Sequence, residues 1–217
     1  MSVSETHLAS LLCSRLCHDL LSPVGAMNNG LELLADETDP EMRRRCLDLL
    51  SDSARATAQK LKYYRLAFGA AGGFDDQVDV TEAKELVQGL LADKASTELD
   101  WSIHAAALPK AAVKLLLNLA LIAQEALVRG GTVALATEEE EGRLEIAVSA
   151  TGQKIAVDVS ILDMLSGKTG DLEETLTART AAAYLAHAIA QEGEGAIQVA
   201  VSADKLVIGS TIIAATA

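Results

Sequence analysis

Aromatic side chains are scarce in this 217-residue chain, at 3% of it: one Trp, three Tyr and two Phe. Half of the residues are nonetheless hydrophobic. The core must therefore be built from Leu, Ala, Val and Ile, in a chain long enough for one large domain or two small ones. Cysteine is scarce too. Three is an odd number, and all three stand in segments with helical periodicity, which argues against a disulfide framework. Cys13 and Cys17, one turn apart beside an apolar stripe, read as small core residues. The run Cys13-x-x-x-Cys17-His18 also lacks the C-x-x-C-H spacing of haem attachment. Basic residues are in deficit, 18 against 31 acidic ones, and the net charge of −13 argues against nucleic acid and anionic membranes as partners. The longest apolar runs, such as Leu115–Ala123, are too short and too flanked by charge to span a bilayer. No basic region followed by an apolar one opens the chain, so no signal peptide is expected and the chain reads as cytoplasmic.

What is present begins with a helix expected over residues 5 to about 36. On a helical wheel Leu12, Leu16, Leu20, Met27, Leu31 and Leu34 share one sector, with Cys13 and Val24 at its margin. His18 falls opposite that sector, and Arg15, Ser22, Gly25 and Asn29 cluster around it. A histidine on the wet face of an amphipathic helix does not pack. It titrates near neutrality and can offer a ring nitrogen to a phosphoryl group. Asp19 is adjacent and able to orient the imidazole, and Ser22 lies one turn on. Pro23 removes a backbone donor in mid-helix, where a kink is expected. Gly25 and Gly30 each weaken the helix by about 0.5–1 kcal/mol against Ala, which tertiary packing must offset.

Asp39 and Pro40 form a cap and a first-turn proline, opening a second helix that runs to about Ala67. Leu47, Leu50, Ala54, Thr57, Leu61, Tyr64 and Phe68 follow steps of three and four, the spacing of a coiled-coil seam. Two long helices joined by a short turn make an antiparallel hairpin over residues 1–69. One hairpin cannot cover both apolar stripes, so a homodimer forming a four-helix bundle is expected. Residues 70–76 read as a linker, because small and glycine residues break the helical period. Over 77–217 the pattern predicts a helix from Thr81 to about Ser96, a strand over Leu99–His104 and a long helix from Pro109 to Arg129. A hairpin follows, its strands Thr132–Thr137 and Arg143–Ala150 joined through a solvated acidic turn at Glu138–Gly142. Helices over Asp158–Leu165 and Leu176–Gln191 precede a second hairpin, Ala196–Ser202 with Leu206–Ala214. Helices on one face of a mixed sheet make a two-layer α/β sandwich, and the fold class is α+β.

The run His18-Asp19-Leu20-Leu21-Ser22-Pro23 resembles the H-[DE]-x-x-[STN]-P phosphoacceptor box of histidine kinase dimerisation domains. The wider stretch from Leu16 to Leu34, including Val24-Gly25-Ala26-Met27-Asn28-Asn29-Gly30, resembles more specifically the ChpT family of alphaproteobacterial histidine phosphotransferases. The resemblance implies a dimeric helical hairpin followed by a domain with the Bergerat fold of the kinase ATPases. In an active kinase that domain carries N-L-x-x-N-A, whose second Asn binds Mg²⁺. Here Asn118-Leu119-Ala120-Leu121-Ile122-Ala123 puts Ile122 at the ligand position, and an isoleucine cannot hold a cation that demands oxygen. Where D-x-G-x-G should follow a strand, the chain has Ala150-Thr151-Gly152-Gln153-Lys154. Gly167-Lys168-Thr169 echoes a P-loop tail, but Leu162 stands where the motif's first glycine belongs. The expected domain is a pseudo-ATPase.

The resemblance further implies a relay in which His18 takes a phosphoryl group from one receiver-domain aspartate and passes it to another. Asp19 would orient the ring or take its proton. Arg15, Ser22, Gly25 and Asn29 would contact the phosphoryl group or the partner. No cofactor of the chain's own is expected, since the receiver brings the Mg²⁺. Two other functions fit the same fold: a non-catalytic dimeric scaffold for response regulators, and a kinase with a divergent ATP site.

Overall fold

The computed structural model describes residues 4–69, 77–92, 96–168 and 172–213. The expected linker 70–76, residues 93–95 of the helix predicted to reach Ser96, Thr169 and Gly170 beyond Lys168, and Ala214 lie outside them; Ser96 itself is a turn residue with φ of 74°, not helical. Helix α1 spans Glu5–Asp36 and α2 spans Pro40–Ala67. Ser4 caps α1 by accepting from the His7 amide, and Asp39 caps α2 by accepting from the amides of Glu41 and Met42. The helix runs on through Pro23, which is itself buried. Gly30 shows what its missing side chain is for: a Cβ there would stand 3.2 Å from Leu50 Cδ2, so its bareness lets α1 and α2 approach closely.

The second part opens with β1 (Gln77–Asp79), paired antiparallel with β3 (Ala107–Pro109) in a small sheet that the sequence pattern does not signal. Helix α3 spans Val80–Ala92, and the Asp79 carboxylate accepts from the Thr81 amide at its start. Strand β2 (Thr97–Ser102) leads through β3 to α4 (Lys110–Ala126), and α4 returns to β4 (Gly131–Glu140), parallel to β2. Strand β5 (Arg143–Thr151) pairs antiparallel with β4 from Thr132↔Thr151 to Glu140↔Arg143. The acidic run is therefore not all turn. Glu138, Glu139 and Glu140 extend the strand, and only Glu141 and Gly142 make the corner, with φ of 51° and 77° as a two-residue hairpin with two positive φ angles requires.

Helices α5 (Val159–Leu165), the single turn α6 (Leu172–Thr175) and α7 (Ala181–Glu192) precede the last hairpin, β6 (Ala196–Val201) and β7 (Lys205–Ile213). The main sheet has the order β2-β4-β5-β7-β6, and α3, α4 and α7 pack on it. This is the expected helical hairpin and two-layer sandwich. The two parts share one buried cluster, because Tyr63, Tyr64, Leu66 and Ala67 at the end of α2 are in it together with α4 and the sheet.

Two side chains fasten that junction. The Tyr63 hydroxyl donates to the Leu117 carbonyl, and Asn118 Nδ2 donates to the Ala67 carbonyl at 3.0 Å. Ala67 ends α2, where carbonyls lack helical partners. Asn118, the first residue of the Asn118–Ala123 run, thus serves as a helix cap. Ile122 and Ala150 are buried in the core.

Candidate phosphoacceptor site

His18 sits on α1 with its side chain 82% exposed, as its place on the wheel requires. Its Nδ1 lies 3.0 Å from Asp19 Oδ1. Asp19 is held by three donors in all. Arg15 Nε gives to Oδ2 at 2.8 Å, the Tyr64 hydroxyl gives to the same oxygen, and His18 faces the other. Burial of the carboxyl raises its pKa, but the hydrogen bonds from Arg15, Tyr64 and His18 and the guanidinium charge outweigh that and hold it below the ordinary value of 3.8. Asp19 is therefore an anion near neutral pH and can only accept. It follows that Nδ1 carries the ring proton of a neutral His18, leaving the Nε2 lone pair free.

Arg15 departs from its expected place. Instead of standing in solvent beside His18 it is buried, with Nη2 donating to Glu125 at the end of α4 while Nε holds Asp19. The wheel assigns a residue to a face, but the second domain covers that part of the face. Cys13 and Cys17 depart the other way. Expected in the core, both are exposed in the single chain, and Cys46 is the buried one. Of the expected apolar sector only Leu12 is buried, and Leu31 is 56% exposed.

Ser22 is exposed one turn beyond His18, and Asn29 is exposed further along. Gly25 has nothing within 4 Å of where a Cβ would stand. His18, Asp19 and Ser22 line a cleft of about 540 Å³ between the hairpin and the second domain, closed by Lys60 and Tyr64 of α2, Leu90 of α3 and Leu121, Gln124 and Glu125 of α4. A larger hollow, about 650 Å³, lies on the sheet around Ser102, Ala147 and Gly209, apart from this chemistry. Among the described residues no group of three or more His, Cys, Asp and Glu could hold a metal ion, and no helix is long and apolar enough to cross a membrane.

Sequence reasoning names His18, Asp19 and Ser22, which line this cleft, but not Tyr64 and Glu125, which line it with them. Each had a signal. A buried tyrosine hydroxyl needs a partner, and Tyr64 sits on an apolar seam. Glu125 is the one carboxylate of α4, whose other residues are mainly Leu and Ala.

Residues 80–205 match the family described as the histidine phosphotransferase C-terminal domain. The chain is 34% identical over 210 residues to the protein phosphotransferase ChpT of Brucella abortus (strain 2308), covering 97% of this chain and 98% of that one. A solved bacterial phosphotransferase is 33% identical, with 97% and 98% of the two chains covered and a TM-score of 0.84. Full-length ShkA, solved with AMPPNP, is 18% identical at a TM-score of 0.50, covering 99% of this chain and 47% of that one, a likeness of fold alone. With an identity above 30% sustained over both chains and the family's domain spanning most of the second half, the chain belongs to the ChpT family of histidine phosphotransferases.

Proposed function

We propose that the chain relays a phosphoryl group between receiver-domain aspartates through a phosphohistidine at His18. The observation that carries this is the exposed imidazole whose Nδ1 faces a pinned carboxylate at 3.0 Å. In the forward step the Nε2 lone pair attacks the phosphorus of the donor's aspartyl phosphate. The N–P bond forms as the P–O bond breaks, and the donor carboxylate leaves. The ring, still holding its Nδ1 proton, becomes cationic, and the Asp19 anion balances that charge or takes the proton. Transfer to the acceptor reverses these events on a second carboxylate. Ser22, exposed one turn away, donates to the phosphoryl oxygens. Gly25 and Asn29 meet the partner on the same face, where open space above Gly25 admits a close backbone.

Phosphoryl transfer is chiefly positioning and charge neutralisation. The divalent cation for it comes with the receiver domain. ATP is not the donor, because the positions an ATPase needs for cation and adenine are filled by core residues, Ile122 and Ala150. The partners are response-regulator receiver domains and a second copy of the chain, which covers the apolar residues that α1 and α2 leave in solvent.

The test is a panel of receiver domains charged with labelled acetyl phosphate and mixed with wild type and His18→Ala. Label stable to base and lost in acid, on wild type alone, is the expected result. Equal labelling of His18→Ala would show that another residue is the acceptor. Receiver binding without labelling of either protein would favour a scaffold.

A further inference from the structure

We propose that Tyr64, and Glu125 acting through Arg15, are positioning residues for phosphoryl transfer: they pin Asp19 so that its free oxygen holds His18 with Nε2 toward the partner. This inference rests on the reading of His18 as phosphoacceptor. The argument begins with the two oxygens of Asp19. An unrestrained carboxylate next to an exposed histidine rotates, and its bond to the ring competes with water. Here Oδ2 receives both the Arg15 Nε–H and the Tyr64 O–H, which fixes the plane of the carboxylate and leaves Oδ1 for the ring.

Each pin is itself tied to the second domain, Tyr64 through its neighbour Tyr63 and Arg15 directly. The Tyr64 ring stacks on Phe68, with centroids 4.8 Å apart, and meets Tyr63 edge-on; Tyr63 in turn bonds to α4 through the Leu117 carbonyl. Arg15 is held at its far nitrogen by Glu125, also on α4. Burial and the neighbouring Asp19 anion both push the Tyr64 pKa up, so it remains a donor throughout the physiological range. A domain that has lost the residues for nucleotide chemistry thus keeps a part in the reaction, as the rigid support of the residue that orients the nucleophile.

Tyr64→Phe and Glu125→Gln test this in the full chain, because neither changes the side chain's shape much. The first readout is the tautomer of the His18 ring by ¹⁵N NMR of histidine-labelled protein, with His18→Ala assigning the signal. The second is the rate at which diethyl pyrocarbonate modifies His18, followed by peptide mass spectrometry, which needs no partner. The third is labelling by the charged receivers. Wild type should show the Nδ1–H form. In both variants that form should decline, and both modification and labelling should slow about two- to twelvefold, the loss of the Tyr64 hydrogen bond or the weakening of the Arg15–Glu125 one being about 0.5–1.5 kcal/mol. The receiver concentration for half-maximal rate should stay unchanged.

An unchanged tautomer in both variants overturns the proposal whatever the rates do, since slower transfer would then reflect docking or fold. So does a shifted tautomer with wild-type rates. Labelling of His18→Ala would instead overturn the phosphoacceptor reading beneath it.

Discussion

Helices α1 and α4 are both rich in Leu and Ala, yet they meet opposite fates. In α4, thirteen of seventeen residues are buried, including Gln124 and Asn118; in α1, nearly twice as long, only Leu12, Arg15, Pro23 and Gly30 are buried. The difference is one of neighbours. Helix α4 is roofed by α2, α3 and α7 and floored by the sheet, whereas α1 leans on α2 along one side and touches α7. What α1 leaves in solvent is not all polar: Leu21, Val24, Leu31 and Leu33 are exposed, as are Leu47 and Leu61 on α2. Large apolar residues exposed along one hairpin mark an association surface, whereas isolated ones elsewhere are ordinary. The sandwich is thus a finished core, and the hairpin, on the proposed dimer, is half of one.

The comparison predicts contrasting responses to truncation. Leu116→Ala in α4 should cost about 2–5 kcal/mol in denaturant unfolding, the price of a cavity that cannot collapse. Leu31→Ala in α1 should cost little of that at concentrations where the chain is monomeric. A similar cost for both at micromolar and submicromolar protein would mean that α1 is covered within a single chain. The second prediction concerns assembly. Leu21→Glu with Leu47→Glu should weaken dimerisation in analytical ultracentrifugation by at least tenfold, since burying each leucine is worth about 1.5–3 kcal/mol. The near-ultraviolet signature of Trp101 in the sheet should be untouched. A wild-type chain that sediments as a monomer at all concentrations would remove the contrast altogether.

How far the sequence could be read differs between these two regions for the same reason. The limits of α1 and α2 were plain, because Asp39-Pro40 punctuates two long periodic runs, and the sandwich followed from alternating strands and their turns. Strands β1 and β3 were not, since three residues carry no period. Glu138–Glu140 read as a turn because charge looks like loop, although the hairpin outgrows the core and its solvent-exposed end is free to be acidic. In the site, His18, Asp19 and Ser22 were legible as one short box on one helix. Tyr64 stands 45 residues from Asp19, and Glu125 stands 110 from Arg15, so their convergence is a product of the tertiary fold. The helical wheel placed Arg15 on a face without showing what covers it.

Acid should expose the cluster that joins the two regions. Asp19 has a lowered pKa in the folded chain, so its contribution to stability is complete above its unfolded value of 3.8 and is lost as pH falls through the lower folded value. The stability gap between wild type and Asp19→Asn should therefore be constant well above 3.8 and narrow below it, as measured by urea unfolding across pH. A gap independent of pH throughout the acid range would mean that Asp19 is not an anion held by Arg15 and Tyr64.

The smallest expected effect is at Gly25, and it separates fold from function on α1. A side chain there meets no atom of the chain, so Gly25→Ala should stabilise the helix by about 0.5–1 kcal/mol, raising the melting temperature. A glycine retained at a cost in stability, one turn beyond Ser22 on the exposed face, needs something outside the chain to explain it. If a receiver's backbone packs there, Gly25→Ala slows labelling of His18 while stabilising the fold, and the half-maximal receiver concentration rises. If labelling is unchanged, the partner does not touch that turn, and the docking surface lies instead on the cleft side, toward Lys60 and Leu90.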